Sequence, residues 1–214
     1  MAVEMKGRVG PVTLPDGSIR EVSLDRSSAQ RTSCAHGRWY EAASRGNVFM
    51  GSTVAAGINP GATLNGTTAF VLHNPTGSDV DLVVMAASIG YISGTHAAGT
   101  LVAAKYVESA ANAAPVTVTD VVPQSTKLGL GKSKARVQSA STLTAAPLIM
   151  FQLFDFGAKL ATTALQNAPF VVLPYGVFIV TPGTAFCMSG ITAAEAGAPV
   201  IVIGCLWEEI TRAA

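Results

Sequence analysis

Short runs of apolar residues, separated by glycine and proline, fill residues 169–210. Valine, isoleucine and phenylalanine dominate these runs, which have the length of β-strands and end at turn-forming residues. The pattern predicts strands at residues 170–173, 176–180, 185–189 and 200–207. The stretch contains no catalytic motif, so it predicts architecture and not reaction chemistry.

The same pattern extends back to residue 68. A strand at 68–73, a turn at 74–78 and a return strand at 80–92 predict a β-hairpin. Residues 157–167 are predicted to form a short helix or a loop, and no strand is predicted in the Ser-, Thr- and Ala-rich residues 137–146. Further strands are predicted at 100–107, 116–122 and 148–156. About nine strands with Gly/Pro turns and little helix predict an all-β protein, an antiparallel β-sandwich or a barrel.

Two of the predicted strands are apolar on both faces. In residues 82–92 and 200–207, apolar side chains occupy both odd and even positions. A sandwich strand that faces water on one side should alternate apolar and polar residues, whereas a strand apolar on both sides is covered on both sides. With little helix in the chain, we expect a neighbouring subunit to provide the second cover.

The low charge of the chain also favours assembly. Charged residues make up 13% of the 214 residues, about half of the roughly 25% typical of soluble domains. Residues 1–45 hold seven of the 14 Lys/Arg and five of the 13 Asp/Glu, so the remaining residues share fifteen charges. A body with so little charge exposes much neutral or apolar surface, which usually marks an interface. We therefore expect burial against copies of the chain or against other proteins.

Several classes of protein are disfavoured by the same composition. A formal net charge of +1 argues against a general nucleic-acid or acidic-membrane binder. The first ten residues lack the apolar core of a secretory signal. Residues 160–194 are uncharged but contain Pro169, Pro174 and Pro182, which would break a transmembrane helix. Three cysteines without a Cys-x-x-Cys pair predict neither a disulfide framework nor a zinc ribbon, and Cys187 and Cys205 are predicted to be small buried residues.

The sequence divides into an extended N-terminal arm, residues 1–37, and a β-sandwich domain, residues 38–214. Residues 9–19 contain two prolines and the Asp16-Gly17 turn signal, which predict a small hairpin. Residues 21–37 are polar, and we expect a short helix, a segment that orders against a partner, or a floppy terminus. The candidate partner-binding residues of the arm are Arg20, Arg26 and Arg31.

A basic, glycine-containing loop is predicted at residues 124–136. Its four positive charges form either a solvated loop or a surface for an acidic partner, and they complete the candidate partner-binding residues: Lys127, Lys132, Lys134 and Arg136. The run Gly129-Leu-Gly-Lys-Ser133 resembles a phosphate-binding loop only in part, because Thr126 stands where the first glycine is needed and no helical pattern follows.

Candidate catalytic and metal-binding residues are scarce. A cupin-like enzyme needs closely spaced histidines and a carboxylate, but His36, His73 and His96 are isolated in sequence. The adjacent Glu208 and Glu209 should point to opposite faces of a strand, so we expect a terminal cap or an inter-subunit salt bridge and not acid–base catalysis. We predict no catalytic residues, no cofactor and no metal.

Several short segments resemble a group of structural proteins of tailed bacteriophages and their prophages. The resemblance covers about residues 38–210 and is carried by Arg38-Trp39-Tyr40-Glu41-Ala42, His73-Asn74-Pro75-x-Gly77-Ser78, Gly90-Tyr91-Ile92-Ser93-Gly94-Thr95, Pro182-Gly183-Thr184 and Leu206-Trp207-Glu208-Glu209. It implies a jelly-roll sandwich that assembles as a trimer, either decorating the capsid or belonging to the tail, collar or fibre.

These observations together lead us to expect a non-enzymatic virion structural protein, a homotrimer that decorates the capsid and docks on the major capsid or other virion proteins through its arm. Neither nucleic acid nor membrane is an expected partner. A tail, collar or fibre component is the first alternative. A receptor- or carbohydrate-binding module is the second, with Trp39, Tyr91 and Tyr175 as stacking platforms at one end of the sandwich, and a cupin-like enzyme is the third.

Overall fold

The computed structural model describes residues 6–8, 19–21, 39–61, 64, 67–95, 99–128, 132–156, 170–174, 176–192 and 199–212. These residues form one short helix and a series of strands: β1 (Lys6–Arg8), β2 (Ile19–Glu21), α1 (Tyr40–Ser44), β3 (Val48–Ser52), β4 (Thr67–Asn74), β5 (Val80–Ser93), β6 (Gly99–Val107), β7 (Val116–Val121), β8 (Gln124–Ser125), β9 (Arg136–Thr142), β10 (Leu148–Phe156), β11 (Phe170–Val172), β12 (Phe178–Val180), β13 (Thr184–Thr192) and β14 (Val200–Thr211).

Two antiparallel sheets pack face to face. Sheet I has the order β11-β5-β14-β3-β8, with β12 also paired to β5, and sheet II has the order β10-β6-β13-β4-β9-β7. The predicted all-β antiparallel sandwich is therefore confirmed. The predicted number of about nine strands is too low, because several short strands and β9 were not predicted.

The strand order is that of a jelly roll. The strands β11 and β12 share one position beside β5, and β7, β8 and β9 add to the edges. The remaining order places β3, β14, β5 and β11/β12 in one sheet and β4, β13, β6 and β10 in the other. Successive strands of this set switch sheets except from β6 to β10, which gives the two interlocked Greek keys of a jelly roll. The predicted jelly-roll-like architecture is confirmed.

A single large core lies between the sheets. Trp207 of β14 is fully buried and its indole stacks on Phe49 of β3, with ring centroids 6.3 Å apart. Sheet II contributes Phe70 and Phe186, which are also buried. Burial of one large apolar side chain stabilises a fold by about 1.5–3 kcal/mol. These aromatic residues therefore account for much of the contact between the sheets.

The outer face of sheet II is covered by the chain itself. Val71, Tyr106 and Cys187 form a second buried cluster there, which Leu143 helps to close. The Tyr106 hydroxyl lies 2.7 Å from the carbonyl oxygen of Ala113, to which it donates a hydrogen bond. The connections on either side of β7 and β9 thus cover part of the outer face of sheet II. The strands for which the sequence led us to expect cover by a subunit, β5 and β14, lie in sheet I.

The ends of several predicted strands change in the structure. The last strand, predicted to end at Trp207, continues to Thr211, and β9 occupies residues that were not predicted to be a strand. The charged residues after Trp207 continue the strand, and Glu209 is itself buried within β14. Its carboxylate is satisfied by hydrogen bonds that the sequence pattern does not reveal.

The arm is described only in part. The strands β1 and β2 pair antiparallel, with Arg8 opposite Ile19, on either side of the predicted hairpin turn. The turn residues, Arg26, Arg31 and the proposed domain boundary at residue 37 lie outside the described residues. The division of the chain into an arm and a body therefore stays a prediction.

The cysteines and the apolar segments agree with the sequence-based expectations where they are described. Cys187 and Cys205 are buried, as predicted, and burial raises the pKa of the Cys205 thiol to about 12. Such a thiol stays protonated and unreactive near neutral pH. Within the part of the chain that the structure describes, no helix has the length and apolar character needed to cross a bilayer.

Candidate assembly surfaces

An exposed apolar surface runs along one side of the sandwich. At this side β10 forms the edge of sheet II, while β11 and β12 lie beside β5 in sheet I. The two edges meet, because the rings of Phe151 in β10 and Phe178 in β12 lie with centroids 6.2 Å apart. We call this surface the apolar seam and define it by Leu148, Ile149, Met150, Phe151, Val177 and Ile179.

The seam residues are far more exposed than core residues of the same type. Leu148 is 72% exposed, Val177 is 76% exposed and Phe151 is 52% exposed. Single exposed apolar residues are common on protein surfaces, but a contiguous group of them marks an interaction site. The seam is therefore the strongest candidate for a protein–protein contact in the described residues.

The backbone of β10 favours contact through side chains over addition of a strand. Its pairing with β6 is interrupted twice, between Ile149 and Phe151 and between Gln152 and Phe154. Such irregularities bend and twist an edge strand and disturb the row of groups that an added strand would pair with. A partner is therefore expected to pack on the seam side chains.

A groove crosses the outer face of sheet I. Inward positions of β14 are buried, while outward positions such as Gly204 and Leu206 are half-buried. We define the sheet groove by Met50, Ser52, Ala86, Ser88, Gly204 and Leu206, which line a cleft of about 430 Å³. Small residues keep its floor low, and a Cβ on Gly204 would lie 2.6 Å from the Ser88 hydroxyl oxygen.

The two strands that are apolar on both faces, β5 and β14, face the core on one side and the groove on the other. In β5 and β14 the inner positions form the core, and the outer positions remain partly open to solvent. Sheet II has its own cover, but sheet I presents an uncharged groove beside Val122, which is 74% exposed. That a neighbouring subunit covers this face stays a prediction.

The basic loop is only partly available to an acidic partner. Lys134 lies 3.6 Å from Asp79 and Arg136 lies 3.3 Å from Asp120, as exposed ion pairs. The Lys127 ammonium donates a hydrogen bond of 2.6 Å to the carbonyl oxygen of Ser44. The nearby carboxylates offset part of the positive charge, since opposite charges at such distances neutralise each other's field.

Lys132, the fourth cation of the loop, is exposed. The candidate partner-binding residues of the arm are not brought together with that loop by any described contact. Arg20 lies in β2, opposite Gly7, and its side chain is outside the described part, as are Arg26 and Arg31. Partner binding by these seven residues stays a prediction.

The carboxylate of Glu209 is bound by residues 133–135 at the end of the basic loop, and residues 129–131 of that loop lie outside the described part of the chain. This carboxylate accepts hydrogen bonds from the Ser133 hydroxyl at 2.5 Å and from the Lys134 backbone N–H at 2.9 Å, and Ala135 N–H lies 3.4 Å away. The indole N–H of Trp207 is 3.5 Å from the same oxygen. The loop therefore binds an internal carboxylate, and Glu209 acts as its cap.

A second buried polar group lies at one end of sheet II. His73 is 2% exposed, and its Nε2 contacts a carboxylate oxygen of Glu108, whose other oxygen accepts a hydrogen bond of 2.5 Å from the Thr76 hydroxyl. Burial lowers the pKa of His73, and this effect exceeds the opposing effect of the Glu108 carboxylate, while the Arg136 cation adds to the lowering. His73 connects β4 to the turn that follows β6.

Acidification is expected to weaken the fold through His73. Because its pKa is lower in the folded state than the unfolded value of about 6.5, the unfolded chain binds more protons as pH falls below that value. The stabilisation is therefore present above about pH 6.5 and is lost progressively as the pH falls below that value. Urea unfolding of the wild type and of His73→Gln at a series of pH values on both sides of it measures this loss, and parallel pH profiles would contradict the assignment.

Neither the cupin-like site nor the aromatic platform is assembled by the described residues. Among them, no three His, Cys, Asp or Glu side chains lie close enough to share a metal ion. Trp39 directly precedes α1, near the end of β14 at Glu208, whereas Tyr91 pairs with Ile201 at the other end. Tyr175 lies outside the described residues.

No protein-family model, no curated protein and no solved structure matches this chain. The features of this chain that bear on its function are therefore the seam, the groove, the low charge and the resemblance to phage structural proteins. Of these, only the seam and the groove are places on the molecule.

Proposed function

We propose that the protein is a non-enzymatic structural subunit of a tailed-bacteriophage virion and that it works by self-association through the apolar seam. The observation that carries this proposal is the group of exposed apolar side chains where β10 meets β12. The scarcity of charged residues and the resemblance of residues 38–210 to phage structural proteins support it.

The energetic reason for association is burial of side chains that the sandwich leaves in water. Transfer of one large apolar side chain from water to an interface contributes about 1.5–3 kcal/mol. A standard interface removes about 800 Å² from each partner, and the buried centre of such an interface is poor in charge. The residues of the seam are uncharged, so their burial carries no cost for removing a charge from water.

Within this proposal the assembly is a homotrimer that decorates the capsid, as the resemblance implies. The N-terminal arm docks on the major capsid protein or another virion protein, with arginines such as Arg20 making polar contacts. A tail, collar or fibre component would use the same seam between subunits. The subunit is made in the host cytoplasm and functions in the virion.

The oligomeric state tests the seam directly. We expect light scattering to give the wild type a mass near three times 21.9 kDa. The double variant Leu148→Lys/Phe151→Lys is expected to be monomeric at micromolar concentration, because it places two charges in the contact. The matched control is Val116→Lys, an exposed apolar residue of β7 at the opposite edge of sheet II, which should keep the wild-type mass.

Incorporation of the chain into virions provides a second test of the seam. In virions purified from a phage that carries this gene, mass spectrometry should detect the wild-type chain and the Val116→Lys control. The seam double variant should be absent from them or strongly depleted. A monomeric wild type, or a seam variant that keeps the wild-type mass, would refute association through the seam.

A further inference from the structure

We propose that the apolar seam of one copy packs into the sheet groove of the next copy, in a head-to-tail contact. This inference rests on the proposed self-association and names the surface that receives the seam. The occupant of the groove is therefore a second copy of this chain, contributing residues such as Leu148 and Phe151.

The shapes of the two surfaces are complementary. Leu148 and Val177 project from the seam, with 72% and 76% of their surface exposed. The sheet groove is concave, with a volume of about 430 Å³ and a floor made low by Ala86, Ser88 and Gly204. Interfaces reach the packing density of protein interiors by fitting projecting side chains into hollows. Two projecting seams placed against each other would leave gaps.

The charges near the two surfaces also favour unlike over like contact. Lys105 lines the cleft beside the seam, next to Met150 and Phe178. Glu208 lies two positions from Leu206, on the same outer face of β14. Burial raises the pKa of its carboxyl, and the nearby Arg45 cation opposes this effect and offsets part of the negative charge. Contact between two seams would bring two lysines together, whereas contact of seam with groove brings a lysine toward an acidic residue.

The symmetry of a trimer also favours contact between two unlike surfaces. A contact between identical patches closes a dimer, whereas a ring of three copies needs two different patches on each subunit. The seam lies at the β10 and β12 side of the sandwich, and the groove extends over β14 and β3 toward β8. A homotrimer of this chain therefore requires a second apolar surface, and the groove supplies it.

Mixing of two variants tests this contact. The seam variant Leu148→Lys/Phe151→Lys keeps its groove, and the groove variant Ala86→Arg, changed at a half-buried outward position, keeps its seam. Each variant alone is expected to be a monomer of 21.9 kDa with a thermal unfolding transition like that of the wild type. An equimolar mixture should form a dimer of twice that mass, because one intact seam and one intact groove remain.

Cysteine cross-linking extends the test to weak association. Ile149→Cys is added to the groove variant and Ser88→Cys to the seam variant, and the mixture is oxidised. A cross-linked dimer is expected only in the mixture of the two cysteine-bearing chains, and not when either cysteine is omitted. Mixtures without the added cysteines control for the native thiols.

The possible results separate this inference from the proposed function. A monomeric wild type rejects self-association itself. A groove variant that keeps the wild-type mass shows that the groove receives something other than a second copy, such as a small apolar molecule, and overturns the inference alone. Mixtures that give neither a dimer by scattering nor a cross-link also overturn it.

Discussion

Replacement of Trp207 with alanine is expected to lower the free energy of unfolding by about 3–5 kcal/mol, the largest effect of any single substitution proposed for this protein. Trp207 is fully buried at the centre of sheet I and stacks on Phe49 of β3. Its removal leaves a cavity that close-packed neighbours fill only in part. Because natural domains have a free energy of unfolding of about 5–15 kcal/mol in total, this loss is a large fraction of the stability.

Urea unfolding followed by fluorescence and circular dichroism measures this loss. Val116→Ala is the control, since Val116 is 64% exposed and its truncation should change stability by less than about 0.5 kcal/mol. Equal transition midpoints for Trp207→Ala and the wild type would show that the core between the sheets is not the one described.

The second large effect is expected at Glu209. Replacement of Glu209 with leucine removes an acceptor that serves Ser133, Lys134 and the Trp207 indole, and it leaves their donors without that partner. Hydrogen bonds to a charged group contribute about 1.5–3 kcal/mol each, and an unsatisfied buried donor costs about 1–3 kcal/mol. We expect a loss of about 3 kcal/mol in the free energy of unfolding.

Glu208 provides the control for this experiment, because it is the neighbouring residue of the same type on the opposite face of β14. Glu208→Gln should change stability by less than about 1 kcal/mol, as expected for a partly exposed carboxylate. Hydrogen exchange of residues 132–135 is an independent measurement, and faster exchange there is expected only in Glu209→Leu. Equal losses in the two variants would contradict the capping role.

The sandwich could be predicted from the sequence because its strands are punctuated by glycine and proline. The predicted strands at 68–73, 80–92 and 100–107 correspond to β4, β5 and β6 with small changes at their ends. Apolar side chains between turn residues are a local signal, so they can be recognised without knowledge of the neighbouring strands. The assignment of all-β class needs no more than this signal.

The strand β9 was not predicted because its stability comes from long-range partners. Its polar residues bind the segment at the start of β7: Gln138 donates a hydrogen bond to the carbonyl oxygen of Pro115, and Ser141 donates one to that of Val116. Serine and glutamine in such positions give no apolar alternation. The burial of Glu209 could not be predicted for the same reason, because it depends on a loop that is distant in sequence.

The place of the candidate interface could not be predicted from the sequence, although the composition led us to expect assembly. A low number of charges says that neutral surface must be covered, but not which side of the sandwich carries it. The seam forms because β10 and β12 come from different sheets and meet at one side. The sequence shows both apolar runs, and only the topology shows that they are neighbours.

The pairing of β14 with β3 and β5 also determines when the proposed seam-to-groove contact can form. The strand β14 lies between these two strands, although it follows them by most of the described chain. Pairing between distant segments is slow, and a nascent chain that lacks β14 leaves residues such as Phe49 and Leu82 without their partners. Because Gly204 and Leu206 belong to β14, the groove itself does not exist until this strand has joined the sheet. In the proposed head-to-tail contact, a chain in which β14 has not yet joined the sheet therefore cannot receive the seam of another copy.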